Sequence, residues 1–241
     1  MIGTLEHGEV DVWTVAFDAV HAVVPDASSC LSPGEERRAA AIVDPAARRN
    51  FILLRVALRT ILSPQLGVAP GEIDVTIRPG GKPAIAGDGG PCFSLSHARH
   101  LGLIAIASDD VGIDVEGPRV LRHPRRTLRR IFHPGTAALI ESLDDDERAA
   151  AFLDAWTQRE AHVKAAGGGL FRTPDDLPYT RGLADGVLHQ VRERGGHETW
   201  SVARFTPVAS TRAAVVARGA AHTLRLRTAA ATLERMAEVL R

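Results

Sequence analysis

Cysteine is almost missing from this chain. Cys30 and Cys92 are its only two among 241 residues, isolated from each other, which excludes a disulfide framework and a thiolate zinc site. Long apolar runs are also lacking: the longest, Leu101 to Ala107, is far too short to cross a bilayer. The amino-terminal stretch carries Glu6, Glu9 and Asp11 and no basic region leading into an apolar segment, so no secretory leader is expected. Neither sign of charge dominates. Lys+Arg and Asp+Glu are each 29, so nothing global points to nucleic acid or to a membrane surface. There is no low-complexity tail. These absences leave a reduced, cytoplasmic protein, expected to be a monomer. With 45% hydrophobic and 24% charged residues, the composition is that of an ordinary globular chain, long enough for one large domain or two small ones.

Local signals order the chain. Ser32-Pro33-Gly34-Glu35 is a capping-box pattern and opens a helix expected to stop near Val43. Asp44-Pro45 restarts a second helix with Phe51, Leu54, Leu58, Ile61 and Leu62 on its apolar face. Ile73, Val75 and Ile77 alternate as a strand, and the Gly/Pro-rich stretch 79–91 reads as a long loop. Strands follow near 92–96, 101–107 and 111–116. Helices are expected at 123–132, 134–143 and 147–166, the last ended by glycines. Strands near 187–192, 199–205, 213–218 and 223–227 come next, then a closing helix near 230–240. Helices followed by strands occur twice, which predicts an α+β fold of two halves, 1–108 and 109–241.

The chemistry concentrates in two segments. In Gly112-Ile113-Asp114-Val115-Glu116 the apolar residues alternate onto one face of a strand, so Asp114 and Glu116 project together from the other. In Trp156-Thr157-Gln158-Arg159-Glu160-Ala161-His162-Val163-Lys164, Glu160 and Lys164 are neighbours one helical turn apart. Three carboxylates and a lysine suit Mg²⁺, a hard cation that takes oxygen ligands together with a substrate phosphate. The bland alternative is a solvated strand face and a surface Glu–Lys pair. Trp156 reads as core packing and His162 as a solvent-side helix residue. Ser96 and His97 adjoin each other in a strand, so they point to opposite faces and cannot form a nucleophile–base pair.

These segments resemble the signature motifs of the Sfp-type 4′-phosphopantetheinyl transferase family, G-[IV]-D-[IV]-E and W-[ST]-x-K-E-[AS]-x-x-K. Gly81-Lys82-Pro83, Phe93-Ser94-Leu95-Ser96-His97-Ala98 and Gly167-Gly168-Gly169-Leu170 are similar to three further family segments in the same order. Arg159 departs from the pattern, standing where the family usually has lysine. The resemblance implies two similar halves related by a pseudo-twofold, with the active site in the cleft between them. It implies transfer of the 4′-phosphopantetheine arm of coenzyme A to a serine of an apo acyl or peptidyl carrier protein, with release of adenosine 3′,5′-bisphosphate. It further implies Mg²⁺, with Mn²⁺ as a substitute, held by Asp114, Glu116 and Glu160. Glu160 is a ligand or also the base, and Lys164 is a charge stabiliser or the acid for the leaving group. Lys82 and Pro83 would border the adenine, Ser96 and His97 would contact phosphates of coenzyme A, and Arg38, with Arg49 as a further basic candidate, would meet the 3′-phosphate. Arg55 and Arg59, one turn apart, are either phosphate contacts or structural.

A basic strip completes the reading. Between Gly117 and Ile140 there is no acidic residue, while Arg119, Arg122, Arg125, Arg126, Arg129 and Arg130 all fall inside it. A strip of that kind, next to the Asp114/Glu116 strand, would steer an acidic helix of the carrier protein; the alternative is a solvated face with some arginines paired elsewhere. Two rival functions share the motifs: a Mg²⁺-dependent nucleotide hydrolase, and a non-catalytic module binding carrier protein or coenzyme A.

Overall fold

Two helices of equal length, each capped alike, give the architecture its symmetry. The computed structural model describes residues 5–23, 30–87, 89–118, 124–167, 177–196 and 198–229. Its elements are β1 (Glu9–Ala16), α1 (Phe17–Val23), α2 (Pro33–Ala40), α3 (Pro45–Leu66), β2 (Val75–Ile77), β3 (Pro83–Ile85), β4 (Cys92–Ala98), β5 (Leu101–Ala107) and β6 (Val111–Glu116). They continue with α4 (Pro124–Ile131), α5 (Pro134–Glu141), α6 (Asp145–Ala166), β7 (His189–Arg192), β8 (Thr199–Phe205), β9 (Arg212–Arg218) and β10 (Thr223–Thr228).

Helices α3 and α6 each run 22 residues, start on an aspartate cap (Asp44, Asp144) and end on a left-handed glycine (Gly67, Gly167). Each follows an eight-residue helix, α2 or α5, with proline in its first turn. The strands match too. Antiparallel β1-β5-β4 forms the core of one sheet and antiparallel β6-β9-β8 that of the other. The halves share no evident sequence repeat, yet caps, lengths and strand order repeat in three dimensions. The α+β organisation in two similar halves is therefore as the sequence implies.

The layers follow from where the apolar residues fall. Trp13, Val15, Leu54, Leu58, Ile61 and Ile104 lie in the cluster that α3 forms with the first sheet. Val10, Val12, Leu103, Ile113, Val115 and Val215 form a second cluster shared by both sheets. Ala161, Ala165, Trp200, Val202, Ala214 and Val216 close α6 onto the second sheet. The order is helix, sheet, sheet, helix.

Several expectations change. The strand β1 and helix α1 are absent from the sequence reading, because β1 is buried on both faces and carries Asp11 in its middle. Asp11 is tolerated there, at 1% exposure, through Arg225 and Arg227 of β10, a strand that pairs parallel with β1 and brings the end of the described chain into the first sheet. The stretch 79–91 is not all loop: β3 lies inside it and pairs with β2. Ile73 is buried just before β2, while Ile77 is 68% exposed. The closing helix near 230–240, Gly168, Gly169, Leu170, Arg119 and Arg122 lie outside the described residues. No described helix is long and apolar enough to cross a membrane.

One glycine decides how closely α6 approaches β6. A Cβ at Gly112 would stand 1.9 Å from the Ala161 carbonyl oxygen and 2.4 Å from the Ala165 nitrogen, both backbone atoms of a rigid helix. Gly112→Ala should therefore lower unfolding free energy by about 1–3 kcal/mol or more, as overpacking does. Gly117→Ala, where nothing lies within 4 Å, should be near neutral. Paired urea titrations of the two variants check this.

Candidate functional site

The face of β6 that carries Gly112 also carries Asp114 and Glu116, and all three meet α6. Because the helix runs antiparallel to the strand, Gly112 sits beneath Ala161 and Ala165, Asp114 bonds Lys164, and Glu116 bonds Trp156. The opposite face, Val111, Ile113 and Val115, is spent in the inter-sheet core. The alternation anticipated for this strand is thus what presents both carboxylates to the helix.

Each carboxylate has its own donor. Asp114 is 6% exposed, and its Oδ1 accepts from Lys164 Nζ at 2.7 Å and from Ser96 Oγ at 2.8 Å. Its Oδ2 is buried with no hydrogen-bond partner. Lys164 Nζ also donates to the Ile113 carbonyl at 2.9 Å. Glu116 Oε1 accepts from the Trp156 indole at 3.0 Å, while Trp156 stacks on Phe152 at a centroid separation of 6.3 Å. Trp156 therefore packs and also holds a site carboxylate. Glu160 Oε1 accepts from Arg159 at 2.7 Å, and the Arg159 guanidinium lies over the Trp156 ring at 5.7 Å.

Burial pushes the Glu160 carboxyl above its ordinary value; Arg159 opposes this, Asp114 adds to it, Lys164 opposes it and Glu116 adds to it. Asp114 and Glu116 thus act electrostatically on Glu160. Among the described residues, no three His, Cys, Asp or Glu side chains converge as they stand on one metal position. Like-charged carboxylates stay apart unless a cation neutralises them, and here Lys164, Arg159 and Trp156 occupy the separate oxygens. The donor set itself suits a hard divalent ion, and the orphaned Asp114 Oδ2 is an oxygen that such an ion would satisfy.

The first half supplies the facing wall. A hollow of about 440 Å³ is lined by Arg38, Arg55, Lys82 and Pro83 from that half and by Glu160 and Lys164 from α6. It continues into a second hollow of about 420 Å³, bounded by Phe51, Val75 and Ile77, through the shared Arg38, Arg55 and Pro83. Arg38, Lys82, Pro83, Glu160 and Lys164 are therefore brought together. His97 and Arg49 are exposed and are not among the lining residues of either hollow. Ser96, at 8% exposure, turns into the contact between β4 and β6. Lys82 reaches across the halves, donating to Asp110 at 3.0 Å and to the Ala165 carbonyl at 2.8 Å.

Two arginines one turn apart have separate fates. Arg59 is fully buried, donating to Glu35 and to the carbonyls of Pro70 and Ile73; it is structural. Arg55 lines both hollows, and burial pulls its guanidinium down from the ordinary value, with Glu35 opposing and Arg38 and Arg59 reinforcing. His162 corrects the sequence reading. It is 5% exposed, bonds Glu193 at 3.0 Å and meets Trp200 edge-on at 4.8 Å, so it anchors α6 to the second sheet rather than facing solvent. Its signal in the sequence is weak, because the residues one turn before it, Gln158 and Arg159, are polar and those one turn after it, Ala165 and Ala166, are small.

The raised Glu160 carboxyl gives a pH test on metal-free protein. A carboxyl whose folded value exceeds 4.5 is most favourable to the fold when protonated, and that advantage is lost as pH rises from about 4.5 through the folded value. Glu160→Gln should therefore melt at higher temperature than the parent at neutral pH, with the gain shrinking below pH 4.5. Calorimetric scans across pH check the sign; a variant less stable than the parent at neutral pH would contradict it.

Comparison with known proteins bears on this geometry. The model of the 4′-phosphopantetheinyl transferase superfamily matches residues 110–217, the span from the turn before β6 to β9. The chain is similar to the 4′-phosphopantetheinyl transferase HetI of Nostoc sp. PCC 7120, 34% identical over 171 residues covering 69% of this chain and 72% of that protein. It is similar to the putative 4′-phosphopantetheinyl transferase slr0495 of Synechocystis sp. PCC 6803, 29% identical over 66% of this chain and 65% of the relative. Against the 4′-phosphopantetheinyl transferase Sfp of Bacillus subtilis strain 168 the identity is 24%, over 59% of this chain and 62% of the other.

Proposed function

This chain belongs to the 4′-phosphopantetheinyl transferase family, and from that premise we propose how its site works. The protein transfers the 4′-phosphopantetheine arm of coenzyme A to a serine of an apo acyl or peptidyl carrier protein, and adenosine 3′,5′-bisphosphate is the product released. The observation that carries the site assignment is that Lys164, bonded to Asp114, lines together with Glu160 a cleft walled by Arg38, Arg55 and Lys82 from the other half. A nucleotide hydrolase would use water as acceptor; here the nucleophile belongs to the partner, and no serine of this chain is needed as one.

Arg38 and Arg55 suit phosphate oxygens of coenzyme A, since a guanidinium presents a planar fork of donors. Pro83, with Phe51 and Ile77 beyond it, offers an apolar surface for the adenine. Lys164 holds positive charge beside the position of the transferred phosphate, where stabilisation of developing charge is worth most. Glu160, held partly out of water, is placed either to bind the cation or to take the acceptor serine's proton. Asp114, Glu116 and Glu160 are the residues that would hold Mg²⁺ or Mn²⁺, which would supply charge neutralisation at the pyrophosphate. The rest is positioning.

Intact-mass measurement of an apo carrier incubated with coenzyme A tests the reading. Conversion to holo carrier should require Mg²⁺ or Mn²⁺ and stop in excess chelator. Asp114→Ala and Glu160→Ala should each cut turnover about 10²–10³-fold, the usual cost of losing one electrostatic contact in a transition state. Lys164→Ala should be severely impaired while Arg159→Lys is tolerated, because lysine keeps the charge beside Glu160. Near-normal rates in all three alanine variants, with the fold intact, would place the site elsewhere.

The carrier would dock on the basic strip. Arg126 and Arg130 are exposed on α4, whereas Arg129 is held by both oxygens of Glu141 at 2.9 and 3.0 Å, so the strip's free charge is smaller than its sequence count. Arg126→Glu should raise the carrier KM and leave coenzyme A binding unchanged. The parent's carrier KM should rise with ionic strength, as screening over a Debye length of about 8–10 Å requires. Loss of coenzyme A affinity in the reversal variant would make Arg126 a phosphate contact instead.

A further inference from the structure

The two sheets meet along β4 and β6, yet no backbone ladder joins these strands. One edge of β6 is paired to β9. The other edge presents the Ile113 and Val115 amides to β4, and a buried amide without an acceptor costs free energy. Two serines of β4 supply the acceptors: Ser94 Oγ takes the Ile113 N–H at 3.2 Å and Ser96 Oγ takes the Val115 N–H at 3.3 Å. Two apart, they share a face of the strand. If this were their whole task, the two would be equivalent.

They are not. A hydroxyl has a single proton, and that of Ser96 goes to Asp114 Oδ1, 2.8 Å away. The same carboxylate oxygen receives Lys164, which leaves Oδ2 buried and without a hydrogen-bond partner. Both donors converge on one oxygen, so the carboxylate is fixed in rotation with its other oxygen unspent. Metal-binding carboxylates are commonly oriented by outer hydrogen bonds in this way. At 8% exposure, with its proton directed to Asp114, Ser96 has none to offer a phosphate. Ser94 lines the cleft; Ser96 is not among its lining residues.

We propose that Ser96 is a positioning residue for Asp114, acting across the contact between the halves to leave Asp114 Oδ2 for a divalent cation. The first half thereby completes a cation site whose ligands all belong to the second. This rests on the reading of Asp114 as a ligand given above, and assigns to Ser96 a task different from the phosphate contact that the family resemblance implies.

The test measures Mn²⁺ binding to the full chain by electron paramagnetic resonance, without coenzyme A, in the parent and in Asp114→Ala, Ser96→Ala and Ser94→Ala. Calorimetric binding of adenosine 3′,5′-bisphosphate accompanies each. Asp114→Ala should remove the Mn²⁺ site. Ser96→Ala should weaken it about 10–100-fold, the usual effect of deleting an outer-sphere partner, with bisphosphate affinity unchanged. Ser94→Ala loses an amide acceptor of the same kind and should leave Mn²⁺ affinity intact. If Ser96→Ala does not fold, Ser96→Cys carries the comparison: its weaker donor should give an affinity below the parent's. Equal losses from Ser94→Ala and Ser96→Ala would reduce both serines to packing and overturn the proposal, as would parental Mn²⁺ affinity in the Ser96 variant alongside weakened bisphosphate binding. Loss of Mn²⁺ in Asp114→Ala but not in the Ser96 variant overturns this proposal alone; retention in Asp114→Ala overturns the ligand assignment with it.

Discussion

The contact of α6 with β6 is the constraint on which the rest depends. Helix and sheet backbones ordinarily stand apart by the thickness of intervening side chains. At Gly112 nothing intervenes, and Ala161 and Ala165 complete the close approach. The next residues on the same strand face, Asp114 and Glu116, are thereby drawn alongside Lys164 and Trp156. A bulkier residue at 112 would push the helix outward and stretch both contacts. Close packing, not carboxylate chemistry, sets the distance between the strand's acids and Lys164 and Trp156 of the helix. His162 secures the helix from its other side, because Glu193 Oε1 also accepts from Trp200.

The chain builds nearly the same unit twice and uses the copies differently. In the first half, the central acid of the leading strand is Asp11, which is met by arginines of β10 and so closes a sheet edge. In the second half the leading strand's acids turn toward the long helix. The first half instead offers cations to the cleft, from α2, α3 and the β2–β3 hairpin. The charged residues of the first wall are thus all cations, while α6 brings Glu160 and Lys164 side by side, in a chain whose formal net charge is zero. Overall neutrality conceals that arrangement, since only the fold gathers Arg38, Arg55 and Lys82 onto one wall.

Much of this was legible from residue order. The capping box at Ser32, the aspartate cap at Asp44 and the left-handed glycine at 167 are local signals, and each ends or begins a helix where its chemistry dictates. The alternation of β6 gave the shared face of Asp114 and Glu116, because period-two geometry needs no tertiary information. Long-range pairing was not legible. Asp11 looks wrong for a buried strand until Arg225 and Arg227 arrive from the far end of the chain, and His162 looks like a surface residue until Glu193 and Trp200 enclose it. Arg55 and Arg59 share a helix face and a spacing, and only the approach of Pro70 and Ile73 to Arg59 separates a structural arginine from one left in the cleft.

The cations in the cleft divide by how firmly they are already held. Lys82 is tied to Asp110 and to the carboxyl end of α6, where a positive charge also meets the negative end of the helix dipole. It locks the hairpin to the second half. Lys164 is held by Asp114 and a strand carbonyl but keeps about a third of its side chain exposed. Arg55 has Glu35 at 4.0 Å and the Phe51 ring at 5.2 Å from its guanidinium, and its burial already disfavours the charge it carries. Of the three, Arg55 stands farthest from a carboxylate of this chain, at 4.0 Å against 3.0 Å for Lys82 and 2.7 Å for Lys164.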